Sequence, residues 1–229
     1  MVRRSLEPHP GLLFSNLFRT SAAGCFSIRV FSNPDNIPLD KFELAIFGAV
    51  DLSNIACANC GSKPRQRCLK QVLDQNRTSD WKNLDVLQLS PDVLPLISDW
   101  FNSVEVSIFE GDNSIDLENA ERPDSCYDII VCIHVLEHIK NDVKAINELI
   151  RMLRPNGQLY LMVPQPVLNP ITRDWGYPDE NDYGHYRMYG RDFKEKLIDV
   201  VETTASLEVF EKNDYFTSKK ELIYVLTKN

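Results

Sequence analysis

Two short runs carry most of the side chains that could do chemistry. His134-Val135-Leu136-Glu137-His138 sets two imidazoles and a carboxylate within one turn's reach, and His185-Tyr186-Arg187-Met188-Tyr189 adds a third imidazole, a guanidinium and a phenol. Imidazole titrates near neutral pH, so His138 or His185 can take a proton from a bound molecule, while Arg187 and Tyr189 can orient that molecule or close a loop over it. Carboxylates gather at Ser90-Pro91-Asp92, at Glu110-Gly111-Asp112 and at Asp116. An acid at a strand end can accept from the paired hydroxyls of a ribose, a role open to Glu110 or Asp112. Each acid taken singly is equally well a solvated loop carboxylate. Cys57 and Cys60 supply two thiolates, half of a structural zinc site. With no second such pair, a plain turn before a helix is the default.

The elements that must position these groups follow from hydrophobic periodicity. From residue 84 onward strand-like and helix-like patterns alternate, as in a parallel sheet covered by crossover helices. Strands are predicted at 84–89, 104–109, 127–133, 159–163, 206–210 and 222–226. Helices are predicted at 93–101, from an Asn141-Asp142 cap to Pro155-Asn156-Gly157, and at 191–201. The run 127–133 is apolar throughout, as a strand covered on both faces should be. Ligands of an open parallel sheet lie outside the carboxyl ends of its strands, where Ser90-Pro91-Asp92, Glu110-Gly111-Asp112, His134 to His138 and Pro164-Gln165-Pro166 all fall. The stretch 164–190 is too long for a mere connection and is expected to be functional. Upstream, residues 39–80 form a lead-in with a helix near 64–75, and 81–229 form the core. Residues 1–38 read as an extension whose Arg3, Arg4, Arg19 and Arg29 give it a transit-peptide bias, with an ordinary tail as the default.

Composition narrows the partners. A net charge of −8 across 229 residues works against a broad basic surface for a nucleic-acid backbone and suits a small polar or neutral molecule. No run of about 18 apolar residues exists, which excludes a membrane helix. The six cysteines do not form a secreted disulfide pattern, and a cytoplasmic location is expected. Oligomeric state is not readable.

The blocks Tyr127 to His138 and Asn147 to Leu159 resemble the fourth and fifth motifs of class I S-adenosylmethionine-dependent methyltransferases. Tyr183 to Phe193 resembles the DHxRxYGxD segment of one group within them, and Cys57 to Arg67 resembles that group's CxxCGSxxRxR element. The resemblance implies an α/β, Rossmann-like fold with a mostly parallel seven-stranded sheet and helices on both faces. It also implies S-adenosylmethionine as cofactor and methyl transfer to a small polar acceptor, such as a sugar or other hydroxyl. On that resemblance Ser90, Pro91, Asp92, Glu110, Asp112, Asp116, His134 and Leu136 border the cofactor, with Asp92 near its methionine end and Asp116 near the adenine amino group. Leu87 to Val93 departs from the pattern because it lacks the usual glycines, which leaves a catalytically inactive binding or scaffold domain as the alternative. His134, Glu137 and His138 spell the letters of an inverted zinc-protease motif. That reading fails because a strand runs up to His134 and the helix begins only at Asn141. Some relatives hold a divalent ion with a similar cluster, making His134, Glu137, His138 and His185 candidate ligands, with ordinary hydrogen-bonded histidines as the default.

Overall fold

The computed structural model describes residues 56–57, 61–91, 97–111, 113–164 and 166–229. The compact unit that carries the candidate site is Lys63–Asn229. Its elements are α1 (Pro64–Asn76), β1 (Asp85–Leu89), β2 (Ser103–Ser107), β3 (Tyr127–Ile133), α2 (Asp142–Met152), β4 (Leu153–Met162), β5 (Arg173–Asp179), β6 (His185–Met188), α3 (Phe193–Val201), β7 (Ala205–Asn213) and β8 (Lys220–Lys228).

Six strands form one sheet in the order β2-β1-β3-β4-β8-β7. The first four run parallel, and β8 is antiparallel to both of its neighbours. Alternation along the strands sends one set of side chains to each face. Leu87, Ile130, Cys132, Leu159, Leu161, Tyr224 and Leu226 pack under Ala145, Ile146 and Leu149 of α2 and Phe193, Leu197 and Val201 of α3. Val86, Ile129, Val131, Ile133, Tyr160, Met162 and Val225 pack under Cys68, Leu69, Val72 and Leu73 of α1, together with Trp81 and Phe101. Burying Leu69, Val72 and Leu73 completely stabilises the unit by about 1.5–3 kcal/mol each. That is why the compact unit begins at Lys63 and not at residue 81: α1 is the cover of one sheet face.

Local chemistry accounts for the helix ends. Pro64 starts α1 where its missing N–H costs nothing, and Gln66 Oε1 accepts from the Lys63 N–H at 2.6 Å. Asn141 Oδ1 caps α2 by accepting from the Lys144 N–H at 3.0 Å. At the amino edge of the sheet Arg154 pairs with Asp85 and Asp128, and the Asp85 N–H donates to Asp128 Oδ2. The opposite edge is left for the site.

Four sequence-based expectations change. The sheet has six strands among the described residues, not seven, because the connection from β2 to β3 is built of turns. That connection is dominated by Asp, Asn, Glu, Ser and Pro, and Leu117 and Ala120 are its buried anchors. β2 stops at Ser107, leaving Ile108 and Phe109 exposed. The stretch 164–190 contains the antiparallel pair β5–β6, joined through Arg173 to Met188 and Asp174 to Arg187. β5 is largely open to solvent, and neither strand carries an alternating apolar signal. Of the helix expected at 93–101, residues 93–96 lie outside the described residues, and a 3-10 turn occupies Ser98–Trp100.

Candidate active site

The carboxyl edge of the sheet is assembled from strained turns. Ser90 after β1 has φ 75°, Glu110 after β2 has φ 59° and His134 after β3 has φ 53°. Left-handed backbone costs a non-glycine residue about 1–2 kcal/mol, and such residues persist where the surroundings hold them. Ser90 is held by donating its N–H to Ser107 O at 2.8 Å, while its carbonyl accepts from the buried Gln88 amide. The first turn therefore adopts a glycine-like conformation without a glycine. Pro91 and Glu110 stand exposed, and Asp116 is exposed with its Oδ1 accepting from the Glu118 N–H at 2.8 Å. Asp92 and Asp112 lie outside the described residues.

The next corner is drier. His134 donates its N–H to Met162 O at 2.9 Å, and its Nε2 is buried without a protein partner. Burial, reinforced by the charges of Arg65 and Lys219, depresses its pKa to about 3, so the ring is neutral. Leu136–His138 forms a 3-10 turn, not a protease-type helix, with Leu136 fully buried. Glu137 is only 1% exposed, and its Oε2 has no partner. Burial pushes its pKa up to about 8, against the opposing pull of Arg65 and Arg187. Asn113 Oδ1 is a further buried acceptor without a partner.

His138 opens to solvent on one side and meets His185 edge-on, with ring centroids 4.7 Å apart. Partial burial and the neighbouring His185 both lower its pKa. His185 Nδ1 lies 3.2 Å from Asp182 Oδ2, and its carbonyl accepts from Trp175 Nε1 at 2.8 Å. One ligand atom from each of Glu137, His138 and His185 lies within 4.8 Å of the others. The structure thus brings together the two histidines expected to act on an acceptor, although they lie on different elements. A separate cleft of about 380 Å³ opens beside Arg191 and Tyr224, and none of these residues lines it.

Residues 57–198 match a family model described as a methyltransferase domain. The chain belongs to that family. The matched range spans β1, β2, β3 and the His138–His185 corner. No curated protein matches. Among solved structures, the chain is similar to a 1,6-didemethyltoxoflavin-N1-methyltransferase from Burkholderia thailandensis, bound to 1,6-didemethyltoxoflavin and S-adenosylhomocysteine. That likeness has a TM-score of 0.52 and 10% identity, covering 72% of this chain and 78% of that one. It is also similar to an S-adenosylmethionine dependent methyltransferase from Mesorhizobium loti, with a TM-score of 0.51 and 12% identity over 69% and 96% of the two chains. These likenesses establish the Rossmann-like class I methyltransferase fold.

In this methyltransferase the remaining motif residues face inward. Arg187 is 2% exposed and donates to Asp174 Oδ2 at 2.7 Å, Leu136 O at 3.2 Å, Ile139 O at 2.5 Å and Lys140 O at 2.7 Å. It clamps β6 to the turn that carries Glu137 and His138, so the role of orienting an acceptor is corrected to positioning. Tyr189 is fully buried and donates to Asp142 Oδ2 at 2.7 Å, which likewise removes it from contact with an acceptor. Asp142 also receives Lys196 at 2.6 Å. Thr172 N and Oγ1 both donate to Asp192 Oδ1, while a Cβ on Gly190 would run into the Ile171 backbone. Sequence reasoning missed Asp182, whose signal was its place three residues before His185, and Asp142, read only as part of a helix cap. Cys60 lies outside the described residues. The Cys57 N–H donates to Ser62 O, and its carbonyl accepts from the Gly61 N–H. No helix among the described residues is long and apolar enough to cross a membrane.

Proposed function

We propose that the protein transfers a methyl group from S-adenosylmethionine to a small polar acceptor, a sugar or other hydroxyl. The observation that carries this reading is the His138–His185 pair with Asp182 beside it, at the carboxyl edge of a methyltransferase sheet. The surrounding residues fit an adenosyl group. Ser90 makes the tight left-handed turn that glycine makes elsewhere, Asn113 Oδ1 and His134 Nε2 are buried polar atoms awaiting partners, and Glu110 and Asp116 present exposed carboxylates suited to ribose and adenine. When bound, the cofactor supplies a methyl group on a positively charged sulfur.

This chain's own residues then align the acceptor and take its proton. Asp182 holds the Nδ1–H of His185, which leaves Nε2 as the base and steadies the imidazolium that forms. With the donor bound, His185 Nε2 would take the proton of the acceptor hydroxyl, and the donor would supply the methyl group that the oxygen gains. The net charge of −8 favours a small or neutral acceptor over a polyanion.

A general base contributes about 10²–10⁴-fold to rate. His185→Ala is therefore expected to lower turnover by that factor, measured as labelled methyl incorporated into hydroxyl acceptors, while calorimetric affinity for S-adenosylmethionine stays within about twofold. Wild-type protein that binds no S-adenosylmethionine and carries no S-adenosylhomocysteine when purified would favour the alternative, an inactive binding domain. The glycine-free first motif motivates that alternative, and the conformation of Ser90 weakens it.

A further inference from the structure

We infer that Tyr183 is the platform on which the acceptor's ring lies, and that this ring is a pyranose. The inference rests on the methyl-transfer reading of the His138–His185 corner and names the substrate class that the corner takes.

Nothing in the fold requires an aromatic residue at position 183. The 3-10 turn Glu180–Asp182 ends there in left-handed backbone, with φ 55° and ψ 24°. Glycine, asparagine and aspartate take that conformation readily, whereas a bulky side chain takes it at a cost. The turn closes through the main chain and one short side chain. Asp179 Oδ1 accepts from the Asn181 N–H at 2.9 Å, and Asp179 O accepts from the Gly184 N–H at 2.8 Å. Tyr183 itself is 87% exposed, and its hydroxyl has no hydrogen-bond partner among the described residues. Strained backbone that carries an unburied ring does not serve stability, and such strain collects where a surface meets a ligand.

The place of the ring says which ligand. Its centroid lies 6.1 Å from that of His185, with the planes 45° apart. Rings in contact have centroids about 4.5–7 Å apart, and a proton-transfer partner stands within about 3 Å of its base. A hydroxyl set against His185 Nε2 therefore brings the ring that bears it onto Tyr183. The exposed Asn181 and the partly open Asp182 precede Tyr183 in the same turn and offer an amide and a carboxylate at the rim of this platform. A pyranose matches both features, because the C–H bonds of one face lie on an aromatic ring while its hydroxyls point outward to amides and carboxylates. An aromatic alcohol would use the ring and leave the polar rim idle.

The test uses the full-length chain. Saturation-transfer NMR with the methyl pyranosides of glucose, galactose and mannose, and with phenol and catechol as a second arm, reads binding without turnover. Labelled methyl incorporated into the same compounds reads transfer. Wild type is expected to pass saturation to the ring C–H protons of at least one pyranoside. Tyr183→Asn should raise KM for that pyranoside about 3–10-fold with kcat within about twofold, the pattern of a contact made equally in the ground and transition states. Its melting temperature should equal or exceed that of wild type, because asparagine suits the left-handed turn. Tyr183→Phe keeps the ring and should hold KM within about twofold. The inference is overturned by unchanged pyranoside binding and KM in Tyr183→Asn, by saturation reaching only phenol or catechol, or by saturation reaching none of the compounds. A melting temperature lower by more than about 4 °C in Tyr183→Asn would show that the ring serves the fold, which also overturns it. Wild type that binds a pyranoside through Tyr183 but no S-adenosylmethionine would count against the proposed function and leave the platform standing.

Discussion

Replacing Arg187 with methionine separates a positioning role from contact with the acceptor. The guanidinium is 2% exposed, donates four hydrogen bonds and lies 3.7 Å from the buried Asp142 carboxylate. Methionine keeps much of the volume and none of the donors. Asp174, with 43% of its side chain exposed, turns to water and contributes little to the loss. The buried Leu136 carbonyl keeps only the Ile139 N–H at 3.1 Å, and the Ile139 and Lys140 carbonyls recover only part of their bonding from solvent, a loss of about 1–3 kcal/mol between them. Asp142 retains Tyr189 and Lys196 but loses its second cation. The total is about 3–5 kcal/mol, the range for breaking a buried ion pair by deleting one partner. For a chain of this size each kcal/mol moves the melting temperature by about 2–4 °C, which puts the drop at about 6–20 °C. Circular-dichroism melting measures it directly, and Arg187→Lys should fall between the two because it keeps charge but not the planar fork. A melting temperature within about 2 °C of wild type, coupled to a tenfold rise in acceptor KM, would refute the clamp and return Arg187 to the acceptor.

Tyr189→Phe removes the hydroxyl donated to Asp142 in the core and is expected to cost about 1–2 kcal/mol by chemical denaturation, with acceptor KM unchanged. A KM effect without a stability effect would contradict its inward placement. Stability against pH, measured in chelator, should reflect two opposed buried groups surrounded by His138, His185, Asp182, Arg65, Arg187 and Lys219. His134 has its pKa depressed from 6.5 to about 3, so the unfolded chain binds its proton first and stability falls as pH drops below about 6.5. Glu137 has its pKa raised from 4.5 to about 8, so the folded chain holds the extra proton and stability falls as pH rises from about 4.5 toward 8. The two oppose each other between about 4.5 and 6.5, where this pair places the maximum, and each slope is at most about 1.4 kcal/mol per pH unit. His134→Asn should flatten the acid limb and Glu137→Gln the limb between 6.5 and 8; identical profiles for wild type and both variants would show that neither group titrates as its burial dictates.

Local periodicity was enough for the elements whose burial is regular. The apolar runs of β3 and β8 and the stripe of α2 are written in neighbouring residues because one or both faces of each is covered, and the class I likeness followed from motifs near them. The types of the reactive groups were legible too, with His134, Glu137, His138 and His185 all visible as candidates. Their partnerships were not. Only the pairing of the largely exposed β5 with the partly buried β6, neither with an apolar code, brings His185 against His138, and only packing density turns Arg187 and Tyr189 away from the acceptor and into hydrogen bonds with the turn and with Asp142. Desolvation is likewise a property of the folded interior: Glu137 and Asp182 are both carboxylates in the sequence, and it is burial that raises the pKa of Glu137 while leaving Asp182 partly open beside a histidine.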